Sequence, residues 1–172
     1  MQQHSGEHII SGLVHGRYGY DNVGFHLADD CCTMDFNGSI TPEALKEIEE
    51  EANRIVFQNL DIHILYPSKE ELKDLEYRSK IEIEGQVRIV DIPGVDVCAC
   101  CAPHMDTTGE IGLIKLVQMD KYKGGERIYM LSGMRALKDY QTKEASAKAI
   151  SAALCAKENE ITILFTAVAD KH

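Results

Sequence analysis

The chain has 172 residues, 44% of them hydrophobic and 27% charged, enough for one globular domain with its own core and too few for two full ones. Its formal net charge of −10 argues against a non-specific nucleic-acid binder, since phosphate attraction rests on excess Lys and Arg, although a local basic patch stays open. No apolar run reaches the roughly twenty residues of a membrane span, and the start lacks the basic-then-apolar order of a signal peptide, so the expected home is cytoplasmic, with neither membrane nor DNA as partner.

The predicted elements begin with a helix over residues 2–16, where Ile9, Ile10, Leu13 and Val14 form an apolar stripe beside His4 and His8. Four residues is slightly more than one turn, so on a helix the two rings project from one face and can share a ligand such as a metal ion. The turn RYGYDN closes the helix. Residues 23–37, with Cys32, Met34 and Phe36 alternating, read as strand in a hairpin or short meander running into the turn NGS. TPEALKEIEEEANRIVFQNL carries its own helix start, Thr41 as cap and Pro42 first, then Leu45, Ile48, Ala52, Ile55 and Val56 at helical spacing. DIHILYP follows as a strand stopped by Pro67, and Ser68 with Glu71 makes a capping-box pair that opens a second short helix in SKEELKDL.

QVRIVDIP reads as the next strand, ended at Pro93, and IGLIKLVQM and ERIYMLSG as two more, joined across KYKGG into an antiparallel hairpin. RALKDYQTKEASAKAISAALCAK is a long helix, and the tail ITILFTAVADKH fits helix or strand, with helix the expectation. Helices and strands do not alternate regularly and the hairpin is antiparallel, so the fold class is α+β, an antiparallel sheet with packed helices. There is no internal repeat, no low-complexity segment and no G-x-x-x-x-G-K loop for ATP.

Six cysteines, Cys31, Cys32, Cys98, Cys100, Cys101 and Cys155, in a chain without a secretion signal read as free thiols or metal ligands rather than a disulfide framework. In VCACCAPHMDTTGEIG, Cys100 and His104 repeat the four-residue spacing, with Cys98 and Cys101 close by. One His pair and one Cys/His pair supply four donors, the number zinc takes in tetrahedral sites. An isolated H-x-x-x-H is common on helices, and the conjunction with C-x-x-x-H is what gives the pattern weight. Ser5 follows His4 where zinc proteases place a glutamate, which argues against a protease.

Three stretches, His4-Ser5-Gly6-Glu7-His8, Cys100-Cys101-Ala102-Pro103-His104, and Thr108-Gly109-Glu110-Ile111-Gly112 followed by Lys115, together resemble the editing domain of alanyl-tRNA synthetases and the freestanding AlaX-type alanyl-tRNA trans-editing proteins. More distantly they resemble the threonyl-tRNA synthetase editing domain, the shared second additional domain of these enzymes. The match covers roughly residues 1–135, and GMRALKDY is similar to the start of the family's next helix. The resemblance implies an editing-domain-like fold, a zinc-dependent editing domain at 1–135, and a C-terminal helical segment at 136–172 that leads to a domain outside this chain. Longer members add an N-terminal barrel and a C-terminal domain, so the chain is expected to be a short form or, slightly favoured, a fragment.

The activity implied is hydrolysis of the ester joining serine or glycine to alanine tRNA, an aminoacyl-tRNA deacylase acting in trans. By the same resemblance His4, His8, Cys100 and His104 hold zinc, with Cys98 and Cys101 as alternatives to Cys100, and the backbone of Thr108, Gly109, Glu110, Ile111 and Gly112 approaches the terminal adenosine. The family's usual C-G-G-T-H is here C-C-A-P-H, so Pro103 offers neither a side-chain donor nor an N–H. No catalytic side chain is assigned; His26 is a candidate for the pocket wall or a strand histidine without a role. His15 and His63 read as surface residues, and Glu47, Glu49, Glu50 and Glu51 as a solvated helix face. Arg78, Lys80, Arg88, Lys115, Lys121, Lys123 and Arg127 are the candidate tRNA phosphate contacts. Two other classes stay open: a non-catalytic zinc-stabilised tRNA- or protein-binding module, and a hydrolase of another aminoacyl ester. The pattern assigns no oligomeric state.

Overall fold

The first helix, α1 (Gln2–Tyr18), is buried on most of its circumference: polar Gln3, Ser5, Glu7, His8 and Ser11 are as inaccessible as Ile9, Ile10 and Val14. A helix enclosed in this way is a central element rather than a surface one, and its polar side chains must find partners inside the protein. It ends where Gly19 enters the left-handed region (φ 66°) and donates its N–H to His15 O, two residues beyond the predicted end. The computed structural model describes residues 1–79, 85–163 and 166.

β1 (Asn22–Leu27) and β2 (Cys32–Phe36) form an antiparallel hairpin in which Cys32, Met34 and Phe36 point inward, as their alternation predicts. α2 (Pro42–Gln58) starts at Thr41, whose Oγ1 accepts the Ala44 N–H at 3.2 Å, and buries Ile48, Ala52, Ile55 and Val56. After β3 (His63–Leu65), the expected capping box is present: Ser68 N–H donates to the Glu71 carboxylate at 2.7 Å and Glu71 N–H to Ser68 Oγ at 3.3 Å, but α3 (Glu71–Asp74) lasts a single turn. β4 (Ile89–Ile92) is followed by β5 (Asp96–Ala99), a strand the sequence reading leaves as loop. Gly94, at φ 73°, makes the reversal between them possible. β6 (Ile114–Tyr122) and β7 (Gly125–Ser132) form the expected antiparallel hairpin.

The strands make two antiparallel sheets, β1-β2-β7-β6 and β3-β4-β5. α1 packs against α2, β5 and β7, and one core runs through Ile9, Met34, Ile48, Ile92, Ile111 and Met130. Gly12 lets α1 lie directly on the turn between β4 and β5, since a Cβ there would run into Val95 O. The architecture is α+β. The chain divides into Met1–Ala136 and Leu137–His172. The helix that crosses that boundary, α4 (Met134–Leu154), carries pairs one turn apart, Asp139 with Lys143 at 2.7 Å and Glu144 with Lys148 at 2.8 Å. Of the tail ITILFTAVADKH, residues 161–163 are helical, and the rest of that expectation lies almost wholly outside the described residues. Among the described residues no helix is long and apolar enough to cross a membrane.

Candidate metal centre

His4 and His8 project from one side of α1 toward the segment that leaves β5, where Cys100 and His104 meet them. One donor atom from each of the four lies within 4.8 Å of all the others. His4 Nε2 is 3.6 Å from Cys100 Sγ, and the ring centroids of His4 and His8, His4 and His104, and His8 and His104 are 5.0, 4.5 and 4.6 Å apart. A tetrahedral zinc ion with bonds of about 2.0–2.3 Å sets its donors about 3.3–3.8 Å apart, so the four need only a small contraction.

Local hydrogen bonds give the Cys100–His104 loop its shape. Arg88 donates from Nη1 to Cys100 O at 2.6 Å and Ala102 O at 3.0 Å, and Cys100 N–H returns to Arg88 O. Met105 N–H donates to Ser5 Oγ at 3.0 Å, which pins the far end of the loop to α1. Arg88 is thereby occupied with the loop carbonyls rather than presented to phosphate.

The donor set suits a soft or borderline dication. Burial would raise the Cys100 thiol, but the imidazoles of His104, His4 and His8 and the backbone at Ala102 hold it down at about 3, so it is a thiolate. Burial would lower His8, yet hydrogen bonds to Asp96 and Cys100 and the charge of Glu7 outweigh it and raise the imidazole to about 9. His104 is pushed down chiefly by burial, and its buried ring nitrogens have no partner outside the cluster. A buried imidazole turned only toward a thiolate and two other imidazoles fits the donor set of a metal ion.

The other cysteines differ. Cys98 is buried on β5 with its thiol pushed up to about 12 by burial, and Cys101 is exposed. A second group, His8, Asp96 and Cys98, also converges, but Arg78 closes it: Nε donates to Asp96 Oδ1 at 2.7 Å and Nη2 to Oδ2 at 2.8 Å. A guanidinium on both oxygens of the carboxylate leaves no place for a second cation.

Two buried acids behind the histidines escaped the sequence reading. Glu7 accepts from Ser11 Oγ and Asn22 Nδ2, both at 2.7 Å, through Oε1, and its Oε2 lies 3.9 Å from Nε2 of both His4 and His8. Asp96 accepts from His8 Nδ1 at 2.9 Å. The signals were there: an acid inside H-S-G-E-H, and the alternation Asp96, Cys98, Cys100 of a strand.

The remaining candidate residues take varied places. His26 is exposed, and it is Phe25 that faces inward and stacks on His4, with centroids 5.5 Å apart and planes at 21°. Thr108 and Ile111 are fully buried: Thr108 Oγ1 donates to Ile55 O and accepts from Leu60 N–H, both at 2.8 Å, so the Thr108 side chain braces the end of α2. Gly109 lies against Asn59, the Glu110 carboxylate accepts Asp106 N–H at 2.9 Å, and Gly112 (φ 72°) passes Gly133 closely. Among the candidate phosphate contacts, Arg78 is committed to Asp96, Arg127 to Asp35 at 2.6 Å, Lys115 to Glu49 at 2.6 Å and Lys121 to Glu126. Lys123 sits 5.1 Å from the Tyr122 ring, and Lys80 lies outside the described residues. Glu49 is correspondingly no mere solvated residue, since it also accepts Leu116 N–H at 2.6 Å. His15 and His63 are surface residues, near Asp21 at 3.0 Å and Asp91 at 3.8 Å. Beside the cluster, a cavity of about 410 Å³ is lined by Gln2, Gln3, Leu27, Asp29, Met105 and Arg135.

Comparison with known proteins agrees with the motifs. Residues 87–129 match the threonyl and alanyl tRNA synthetase second additional domain. The chain is 32% identical over 140 residues to alanyl-tRNA editing protein AlaX-L of Pyrococcus horikoshii, covering 80% of this chain and 35% of that one. It is 31% identical over 137 residues to AlaX-M of Saccharolobus solfataricus, covering 75% and 57%, and 29% identical over 143 residues to Aarsd1-A of Xenopus laevis, covering 80% and 35%. The chain thus spans about a third of the length of the Pyrococcus and Xenopus relatives.

Proposed function

We propose, for a chain similar over most of its length to alanyl-tRNA editing proteins, that it hydrolyses the ester of alanine tRNA mischarged with serine or glycine, at a zinc centre held by His4, His8, Cys100 and His104. The observation that carries the reading is the convergence of one thiolate and three imidazoles from segments a hundred residues apart, with His104 lacking any other partner. In this reading residues 1–135 form the editing domain, residues 136–172 are a helical segment leading onward, and the protein works in the cytoplasm, where charged tRNA is handled.

When bound, zinc would supply Lewis-acid polarisation of an ester carbonyl or acidification of a water. The chain's own residues do the rest. The cavity of about 410 Å³ lined by Gln3 and Met105, the chain neighbours of His4 and His104, receives the aminoacyl end, with Gln2 and Leu27 also in its wall. Phe25 covers the open side of His4 and keeps water off that ring. Glu7, held by Ser11 and Asn22, sets a buried negative charge behind the histidines that favours a dication at the cluster.

One observation favours a second reading. Four protein donors saturate a tetrahedral ion, the usual mark of a structural zinc, and a closed site would make this a binding module. The test is hydrolysis of serine-, glycine- and alanine-charged alanine tRNA, with zinc measured on the same sample. Release of serine or glycine with alanine left in place supports the deacylase; no release from zinc-loaded protein supports the module.

A further inference from the structure

A chain of short, buried contacts leads from the cluster through His8. His8 Nδ1 donates to Asp96 Oδ2 at 2.9 Å, and Arg78 grips both oxygens of the same carboxylate at 2.7 and 2.8 Å. The Asp96 side chain is 1% exposed, that of His8 3% and that of Arg78 12%. Arg78 is itself fixed by its backbone, whose N–H donates to Val97 O at 2.8 Å and whose carbonyl accepts Ala99 N–H at 2.9 Å. Nothing in the hydrophobic core requires three charged or polar groups in a row at this depth, and each would be costly there without the others.

We propose that Asp96, locked by Arg78, is the positioning residue of the metal centre: it holds His8 in the tautomer and ring orientation that presents Nε2 to the ion. The inference rests on the zinc reading given above. A neutral imidazole carries one N–H, and the group that accepts it decides which nitrogen stays free as a donor to metal. Asp96 accepts the hydrogen bond of Nδ1–H, so Nε2 is the nitrogen left for a metal, and Nε2 is the atom that lies toward Glu7 and the cluster. Asp96 does this reliably because the Arg78 fork fixes the plane of the carboxylate and offsets its charge, so that it remains an ionised acceptor when buried. The same fork removes the alternative use of these residues as a second metal site, because both Asp96 oxygens are already engaged. Glu7 has a different part. It stands 3.9 Å from Nε2 of both histidines and therefore contributes charge without choosing a tautomer.

The test compares the wild type with Asp96→Asn and Arg78→Lys, using zinc affinity by chelator competition and the ¹⁵N shifts of the His8 ring in the zinc-loaded protein. The wild type is expected to bind one zinc with His8 protonated at Nδ1. Asp96→Asn is expected to weaken zinc binding about 10–100-fold and to move the His8 ring ¹⁵N shifts of the zinc-loaded protein, because Nδ1–H then meets a neutral acceptor. Arg78→Lys keeps the charge and loses the fork, so it shifts both readouts in the same direction by less, and it serves if Asp96→Asn does not fold. Wild-type affinity and unchanged His8 ring ¹⁵N shifts in both variants would overturn the role of Asp96. A wild type that takes up no zinc sinks the metal reading itself, a result visible before any variant is made.

Discussion

His104 and Cys100 carry the sharpest consequences of the cluster. Cys100→Ala or His8→Ala removes one of four donors and is expected to cut the zinc content of purified protein well below one per chain, whereas Cys101→Ala and Cys98→Ala keep it, because one thiol is exposed and the other lies on β5 beside Arg78 and Asp96. Elemental analysis of the four variants decides this, and equal zinc in wild type and Cys100→Ala would remove Cys100 from the donor set. The four convergent residues were legible from spacing, since helical and loop pairs four apart are visible in a bare sequence. Which face Phe25 and His26 occupy was not, because a register shift between Asn22 and Gly24 resets the phase of the strand. Glu7 and Asp96 were missed for a different reason: an acid reads as solvent-facing unless its partners are known, and these two are held by Asn22, 15 residues from Glu7, together with Ser11 on the next turn, and by Arg78, 18 residues from Asp96.

At the scale of elements, the helix with local signals came through and the strand with none did not. Thr41 and Pro42 marked the start of α2 because capping is a contact between near neighbours, here Thr41 and Ala44. Thr41→Ala is expected to cost about 1 kcal/mol, read as a lowered urea midpoint at constant slope. β5 is four residues long and begins two residues after Gly94, so its strand character depends on pairing with β4 and on the weight of α1 against it. That packing is tight at Gly12, and Gly12→Ala is expected to destabilise by roughly 1–3 kcal/mol through displacement of α1 from the turn at Val95, whereas Gly16→Ala, which meets nothing, is expected to be neutral or stabilising. A Gly12→Ala protein as stable as wild type would mean that α1 can shift without cost. The Thr108–Gly112 segment shows what a motif leaves out: the buried Thr108 side chain serves the framework, and only its contacts with Ile55 and Leu60 reveal that.

Across the first unit, from Met1 to Ala136, the cluster joins α1 to the end of β5, so a bound ion would act as a cross-link between the beginning and the last third of that unit. Zinc at a hundredfold excess over its dissociation constant is expected to add about 2.7 kcal/mol to the unfolding free energy, and a chelator to remove it, seen as a fall in Tm on treatment with EDTA and recovery on zinc addition. A melting temperature unmoved by either would mean that the four side chains do not bind metal in the folded protein. The net charge of −10 and the pairing of Arg78, Arg127, Lys115 and Lys121 with acids leave few cations for phosphate in this unit, which explains why a basic patch could not be read from composition.

The distance in sequence between the two halves of the cluster also sets an order of events during synthesis. His4 and His8 leave the ribosome about a hundred residues ahead of Cys100 and His104, so over that interval a growing chain holds only the two-histidine half of the cluster. Capture of an ion by all four side chains would therefore wait until the β4–β5 hairpin closes onto α1, and a chain released before residue 104 would not complete the cluster.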